Sequence, residues 1–306
     1  MFLNVVELGY GAAFGVVKRL PRAVAWPAFA AAAGRSARRH RRGRPGRGTA
    51  RLAANLRRVV GDAMPADEFD DLVRRALRSY ARYYLDAFQL PTRTREELRT
   101  GFYLEHGMRL GDDVASGRGA VVALPHAGNW DAAGAWVAAN GWPITTVAER
   151  LKPEGVYEKF LEFRRSLGME IIPTHGGDRP VFDVLEERVK TGTVVPLLAD
   201  RDLSARGIEV EFFGGRTRMP AGPAALALRT GAPLYVASLW FERDRAAGVL
   251  EGPLTLPADG SLDARLRQTT QLIADHFAKG IARHPEDWHM LQRMWLDQHS
   301  AQKAQG

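Results

Sequence analysis

The sequence predicts an α/β fold in which a central mixed β-sheet carries helices on both faces and follows an N-terminal helical extension. From about residue 115, short apolar runs rich in Val, Ile and Thr alternate with segments of helical periodicity. The chain has 306 residues, of which 45% are hydrophobic, enough to bury a large core. Such alternation is typical of a sheet covered on both faces, with ligands at the strand ends.

The first 60 residues contain two weakly apolar stretches, VVELGYGAAFGVV and AVAWPAFAAAAG, separated by KRLPR. Neither reaches the roughly 18 to 20 unbroken apolar residues that span a bilayer, and Pro27 interrupts the second. No basic segment precedes the first stretch, which argues against a secretory signal. We expect residues 1–60 to form a helical extension of a cytoplasmic protein. Its helices either lie on a membrane or pack on the domain as ordinary helices.

Residues 34–58 contain ten arginines, in a chain with a net charge of +8 and a pI near 10.0. Gly and Pro predict a loop around Gly43 to Gly48. Charge of this kind favours an anionic partner, and we expect a membrane surface, although a solvated basic loop remains open. No zinc-ligand pattern, basic zipper or aromatic RNA-binding motif accompanies the arginines, so nucleic acid is not expected as a partner.

A long helix is predicted from Asp67 to Leu90, where apolar residues recur on one face until Pro91 ends the pattern. Its aromatic side chains are predicted to lie in the core. Six later runs are predicted as strands: GAVVALP, PITTVAE, MEIIP, TVVPLLAD, IEVEFFG and PLYVASLW. The segments PEGVYEKFLEFRRSLG, RPVFDVLEERVK and GPAALALRTG are predicted as helices. Because no repeat or linker follows residue 60, residues 61–306 are predicted to form one domain.

The stretch HAGNWD links the end of a predicted strand to the start of a helix. His126 follows the buried run GAVVALP, Asn129 is a good N-cap, and Asp131 lies in the first helical turn. A carboxylate at Asp131 could accept the Nδ1 proton of His126 and leave Nε2 as a general base. A structural histidine beside an unrelated helix-capping acid remains the alternative.

The chain contains no cysteine and no G-x-S-x-G motif, which excludes disulfides, thiolate metal sites and a Cys nucleophile. A metal hydrolase using His126, Asp131, Asp200 and Asp202 is disfavoured, because no second histidine lies at ligand spacing such as H-E-x-x-H. A non-enzymatic basic module that binds membranes is a further alternative. No metal or resident cofactor is therefore predicted.

HAGNWD resembles the motif of a histidine, four residues and an acid that marks glycerolipid-type acyltransferases. The Asn-Trp pair within this motif resembles the one found in the branch that contains the late acyltransferases of lipid A synthesis. Further segments agree in order and spacing: SYARYYLDAFQLP, TTVAERLKPEGVYEKFLEFRRSLGMEI, LLADRDL, VEFFGGRTRMPAGPAALALRTGAPL and HPEDWHMLQRMW. Over nearly its whole length the chain resembles the phosphatidylinositol mannoside acyltransferases of actinobacteria.

The resemblance implies transfer of a palmitoyl-type acyl group from acyl-CoA, as co-substrate, to a mannose hydroxyl of a phosphatidylinositol mannoside. Together with the N-terminal stretches and the basic charge, it leads us to expect a peripheral protein on the cytoplasmic face of the cell membrane. His126 would be the general base and Asp131 its orienting acid, without an acyl-enzyme. Backbone N–H groups near Gly128 are candidate donors to the oxyanion. Another glycolipid or phospholipid acceptor remains an alternative.

The remaining polar segments predict a substrate-binding rim. Its candidates are Glu149 at a strand end, Arg164 at the border of a helical core stripe, Asp200 and Arg201 after TVVPLLAD, and His284 before the PEDWHM turn. The alternatives are a surface ion pair for Arg164, an Asp-Arg turn cluster, and a helix-capping turn at His284. The family resemblance implies glutamate at position 200. Asp200 departs from that pattern, and its carboxylate reaches one methylene less far than a glutamate would.

Overall fold

The computed structural model describes residues 15, 17–148, 154–174, 179–202 and 206–297. In this part of the chain the helices are α1 (Arg22–Arg41), α2 (Arg47–Val60), α3 (Ala66–Gln89), α4 (Arg95–Thr100), α5 (Met108–Ala115), α6 (Trp130–Ala139), α7 (Glu154–Ser166), α8 (Val181–Lys190), α9 (Gly222–Thr230) and α10 (Leu262–Arg283). The strands are β1 (Phe102–Glu105), β2 (Ala120–Leu124), β3 (Thr145–Ala148), β4 (Glu170–Pro173), β5 (Val194–Leu198), β6 (Ile208–Phe212), β7 (Gly215–Met219), β8 (Leu234–Phe241) and β9 (Ala246–Glu251). Short 3₁₀ turns cover Leu90–Thr92 and Pro285–Asp287.

Five strands form the central sheet in the order β1-β9-β8-β2-β5. Strand β2 is parallel to both β5 and β8, whereas β8 and β9 are antiparallel, so the sheet is mixed as predicted. The parallel pair β3 and β4 lies beyond β5, to which it is joined by a bridge between Ile144 and Val194. Strands β6 and β7 form a separate antiparallel hairpin.

Helices cover both faces of the sheet, which confirms the predicted fold class. The side chains of β2 show this directly, because successive residues of a strand point to opposite faces. Val122 and Leu124 lie in a core with residues of α3, α6 and α7. Val121 and Ala123 lie in a second core with residues of α8, α9 and α10. The strand that precedes HAGNWD is therefore buried on both sides, and its C-terminal end opens at one edge of the sheet.

The described N-terminal helices pack on α3. Helices α1 and α2 share a third core with it, to which α2 contributes Leu52 and Leu56. Asn55 of α2 also donates hydrogen bonds of 2.8 Å to the main-chain oxygens of Met290 and Gln292. None of the helices in the described ranges is long and apolar enough to cross a bilayer. The division at residue 60 stays a prediction, and most of the first apolar stretch lies outside the described residues.

Candidate active site

His126 lies at the C-terminal edge of the sheet, directly opposite Asp200. Leu124 of β2 pairs with Leu198 of β5, so the two residues that follow by two positions face each other. His126 Nδ1 is 2.5 Å from Asp200 Oδ1, and the main-chain N–H of His126 donates to Asp200 Oδ2 at 3.0 Å. The His126 side chain keeps 24% of its surface exposed, whereas Asp200 is fully buried. The pairing therefore leaves part of the imidazole open to solvent.

The Asp200 carboxylate receives a third hydrogen bond, from Nε1 of Trp288 to Oδ2 at 3.0 Å. Burial by itself raises the pKa of Asp200, but the attraction of His126 and the three hydrogen bonds outweigh burial and hold that pKa below its ordinary value. Asp200 is therefore ionised near neutral pH. An ionised carboxylate at Nδ1 holds the proton there, so the neutral ring carries its lone pair on Nε2.

Asp131 is bonded to two other side chains. It is buried, its Oδ1 accepts a hydrogen bond from Nε of Arg164 at 2.7 Å, and its Oδ2 accepts one from the Tyr83 hydroxyl at 2.8 Å. The expectation that Asp131 contacts the His126 imidazole is therefore wrong. The physical reason is that the first turn of α6 directs this carboxylate toward α3 and α7, while His126 faces β5. The role of Asp131 in catalysis stays a prediction.

Arg164 forms a buried ion pair with Asp131 that joins α7 to α6. Burial lowers the pKa of Arg164, but the charge of Asp131 and the hydrogen bonds to it raise that pKa further than burial lowers it. Burial, with Asp131 nearby, raises the pKa of Tyr83 well above its ordinary value. The Arg164 guanidinium therefore keeps its charge inside the protein, where the Asp131 carboxylate is its partner.

Aromatic rings line one side of His126. The Trp130 ring meets the imidazole edge to face, with centroids 5.5 Å apart, and stacks on Tyr83 at 4.1 Å. His289 contacts both Trp130 and Tyr83, with centroid distances of 6.1 and 5.8 Å. We call the residues Tyr80, Tyr83, Tyr84, Trp130 and His289 the aromatic wall. It gives the edge of the sheet an apolar surface beside the imidazole.

Residues Pro285–Met290, here called the C-terminal strap, pair with the loop that carries His126. Ala127 and Trp288 form an antiparallel bridge, and the His289 N–H donates to the His126 carbonyl at 2.8 Å. The buried Asp287 carboxylate accepts hydrogen bonds from the Ser79 hydroxyl of α3 and from the Phe241 N–H at the end of β8. The strap thus ties α3, β8 and the catalytic loop together.

Comparison with known proteins identifies the family of this chain. The family model described as bacterial lipid A biosynthesis acyltransferase matches residues 6–297. The chain belongs to this family. As a member of the lipid A acyltransferase family, it is an acyltransferase.

Two curated relatives of this family member are similar over almost the whole chain. One is the phosphatidylinositol mannoside acyltransferase of Mycolicibacterium smegmatis, which is 46% identical over 293 residues, covering 96% of this chain and 92% of the relative. The other is the phosphatidylinositol mannoside acyltransferase of Mycobacterium tuberculosis strain H37Rv, which is 44% identical over 308 residues, covering 99% and 92%.

The predicted rim of the acyltransferase is brought together only in part. Glu149 lies outside the described residues. Arg201 is half-buried next to Asp200 and acts electrostatically on Tyr80 of the aromatic wall. The His284 ring stacks on Trp240 with centroids 4.7 Å apart and an angle of 8°, and burial lowers the pKa of His284. Substrate contact by these residues stays a prediction.

The main-chain N–H groups of His126, Ala127 and Gly128 are already engaged, which corrects the candidacy of these three groups as oxyanion donors in the acyltransferase. The Gly128 N–H donates to the Asp287 carbonyl at 2.9 Å, and the Ala127 N–H to the Pro125 carbonyl at 2.7 Å. The His126 N–H is held by Asp200. Sequence reasoning missed Tyr83, Asp287 and Trp288. The available signal was that polar and aromatic residues occur together in the segments SYARYY and PEDWHM.

Proposed function

We propose that this acyltransferase moves a palmitoyl-type acyl group from acyl-CoA to a mannose hydroxyl of a phosphatidylinositol mannoside. The names and the 46% and 44% identities of the two near full-length relatives support the acceptor. The observation that carries the reaction type is the pairing of His126 Nδ1 with the ionised Asp200 carboxylate at the sheet edge. Such a pair prepares Nε2 to accept a proton from a hydroxyl group.

In the proposed reaction, His126 Nε2 takes the proton of the mannose hydroxyl as its oxygen attacks the thioester carbonyl carbon. The carbon–sulfur bond of the tetrahedral intermediate then breaks, and the CoA thiolate takes the proton from the imidazolium. The products are the mannose ester and free CoA. Asp200 stays ionised throughout and stabilises the imidazolium, as the acid of a catalytic triad does.

The surroundings of His126 support a lipid substrate. The aromatic wall offers apolar surface on one side of the imidazole, and an acyl chain has to leave water while its thioester lies at the base. We expect a long apolar groove that begins near His126. Arg201, Glu149 and His284 are proposed to bind the polar part of the acceptor. Arg164 is proposed to act with Asp131, by fixing α7 against α6 beside the wall.

We further propose peripheral binding to the cytoplasmic face of the cell membrane through α1. One face of its first half is apolar and exposed, at Ala23, Val24, Pro27, Ala28 and Ala31. Exposed arginines follow in its second half and the next loop, at Arg35, Arg38, Arg39, Arg41 and Arg42. Apolar side chains beside cations suit an anionic lipid surface. The opposite face of α1 packs on α3, so this helix both joins the domain and presents a surface outward.

Acyl transfer by the purified protein tests the proposal. Palmitoyl-CoA is offered with phosphatidylinositol, with its mannosides and with unrelated glycolipids, and products are identified by mass spectrometry. We expect the mannosides to be acylated, and we expect this activity to persist when a chelator is added. In His126→Ala, kcat should fall by roughly 10²-fold or more. Acylation of another glycolipid in preference to the mannosides would replace the acceptor. Near-normal turnover of His126→Ala would contradict the proposed role of His126 as general base.

A further inference from the structure

We propose that Trp288 is a positioning residue, whose indole N–H fixes the Asp200 carboxylate in the orientation that serves His126. This inference rests on the proposed function, because it gives a partner to the same catalytic pair. Trp288 touches no reacting atom in that mechanism. It acts through Asp200, to which its Nε1 donates at 3.0 Å.

The Asp200 carboxylate needs external contacts to hold its orientation. Rotation about the bond between Cβ and the carboxyl carbon is broad and weakly restrained, so hydrogen bonds decide where the two oxygens point. Oδ1 faces the His126 ring, while Oδ2 is shared by the His126 N–H and the Trp288 indole. The His126 N–H belongs to the same residue as the ring. Among the residues that the structure describes, Trp288 is thus the donor that anchors Asp200 to another part of the fold.

Trp288 is itself held rigidly. It is fully buried, and its ring packs edge to face against Phe212 and Trp295, with centroids 6.0 and 6.4 Å away. Its main chain forms the antiparallel bridge with Ala127, in the loop that carries His126. Ring and backbone are therefore both fixed relative to the imidazole. A donor fixed in this way can align a carboxylate without being reordered during the reaction.

The competing explanation is that Trp288 only fills the core. Trp295 separates the two explanations, because it is equally buried and its Nε1 also donates one hydrogen bond. Its acceptor, at 3.1 Å, is the main-chain oxygen of Phe212 in the hairpin of β6 and β7. Trp295→Phe and Trp288→Phe therefore remove the same atoms from neighbouring places. Trp288→Phe alone removes a donor from Asp200.

The two variants are compared for melting temperature, kcat, KM and the pH profile of kcat/KM. We expect similar losses of melting temperature, whereas only Trp288→Phe lowers kcat, by about 10-fold or more with little change in KM. A less well aligned carboxylate stabilises the imidazolium less, so the acid limb of the profile moves to lower pH in Trp288→Phe. Equal kcat in the two variants, or an unmoved acid limb, would overturn the proposal.

Two further measurements keep the proposal testable. In an Asp200→Ala background, Trp288→Phe should lower kcat almost no further, because a residue that acts through Asp200 has no effect on kcat once Asp200 is absent. If Trp288→Phe lowers kcat in that background by the same factor as in the wild type, the proposal is contradicted. If Trp288→Phe fails to fold, benzothienylalanine at position 288 keeps the ring shape and replaces the N–H by sulfur. We expect the same decrease in kcat and the same shift of the acid limb for that variant.

NMR titration of the His126 ring separates this inference from the proposed function. The measurement needs no substrate, and the His126 signal is assigned by its disappearance in His126→Gln. We expect the pKa of the His126 imidazole to be lower in Trp288→Phe than in Trp295→Phe. Equal values would overturn the positioning role even if mannosides are acylated. A lower value would support it even if the acceptor proves to be another lipid.

Discussion

Two buried carboxylates lie near His126, and they differ in what neutralises them. Asp131 is matched by the Arg164 guanidinium, a permanent positive charge, and by the Tyr83 hydroxyl. Asp200 faces the His126 imidazole and receives its remaining hydrogen bonds from neutral groups. The negative charge of Asp131 is therefore already balanced by the guanidinium of Arg164. In the proposed mechanism, the negative charge of Asp200 remains available for the His126 imidazolium, so equal burial of the same residue type would not mean an equal role.

The largest effect expected from this comparison is that of Asp200→Asn on turnover. An amide at this position no longer holds the Nδ1 proton or stabilises an imidazolium, so we expect kcat to fall by about 10³-fold with the fold retained. Asp200→Glu should keep a substantial part of the activity, because it retains the acid. Kinetics and melting temperatures of both variants check this. A destabilised but fully active Asp200→Ala would remove Asp200 from the site.

Asp131→Asn should have its main effect on stability. The substitution leaves the Arg164 guanidinium buried without its counter-charge, and loss of one partner of a buried pair costs about 3–5 kcal/mol. Replacing the pair together, as Asp131→Leu with Arg164→Met, should recover much of that loss. Urea unfolding of the single and double variants measures both. If Asp131→Asn unfolds like wild type but loses as much kcat as Asp200→Asn, the comparison breaks, and Asp131 acts on the imidazole.

A third buried carboxylate, Asp287, extends the comparison to pH. Burial raises the pKa of Asp287 to about 6, so its stabilising contribution is complete below its ordinary value of 3.8 and is lost as the pH rises through about 6. Burial lowers the pKa of His289 to about 3, so its contribution is complete above 6.5 and is lost as the pH falls toward 3. The two residues share Ser79, and their pH slopes oppose each other.

Single substitutions should uncover these opposing slopes. In Asp287→Asn, only the His289 slope remains, and the free energy of unfolding should rise with pH between 4 and 6 by about 1 kcal/mol per unit relative to wild type. In His289→Phe the relative slope should have the opposite sign. Denaturant unfolding at several pH values checks the signs. Parallel curves for wild type and both variants would show that these groups do not titrate on folding.

The smallest expected effect concerns charges that are neither buried nor paired with the site. Neutralising Arg38, Arg39, Arg41 and Arg42 together should weaken binding to anionic vesicles by about 10-fold at low salt, and less as salt rises. Turnover on a detergent-dispersed acceptor should stay near normal, in contrast to Asp200→Asn. Vesicle co-sedimentation at several salt concentrations tests this. Unchanged binding at low salt would show that these arginines do not contribute to membrane binding.

The centre of the fold was predictable because β2, β5 and β8 are largely buried on both faces and appear as continuous apolar runs. Each of the six predicted runs contains a strand, and the helix before Pro91 runs from Ala66 to Gln89 as expected. The edge strand β1 was not predicted, because only Phe102 of its four residues is fully buried. Strand β9, with two alanines and a glycine among its six residues, also lacks a strong apolar pattern.

The site was predictable in its location but not in its pairing. The end of a buried strand located His126, and the same reasoning marked Asp200. Spacing along the chain then favoured Asp131, five positions after His126, although the bonded carboxylate is 74 positions away. Only the register of β2 with β5 brings those two residues together. The contact between Trp288 and Asp200 could not be predicted either. It depends on main-chain pairing of the C-terminal strap with the loop that carries His126, and that pairing leaves no pattern in the sequence.

The C-terminal strap also sets the order in which the surroundings of the His126–Asp200 pair are completed during synthesis. Trp288 lies 88 positions after Asp200, so at about 5–20 residues per second it leaves the ribosome roughly 4–18 s later. Before that moment β2 and β5 have already been made, whereas Trp288, which is both the donor to Asp200 and the partner of Ala127, has not. A nascent chain can thus begin to form its sheet before its acid is anchored. If Trp288 positions Asp200 as proposed, full activity requires that the chain be synthesised well past the last strand of the sheet.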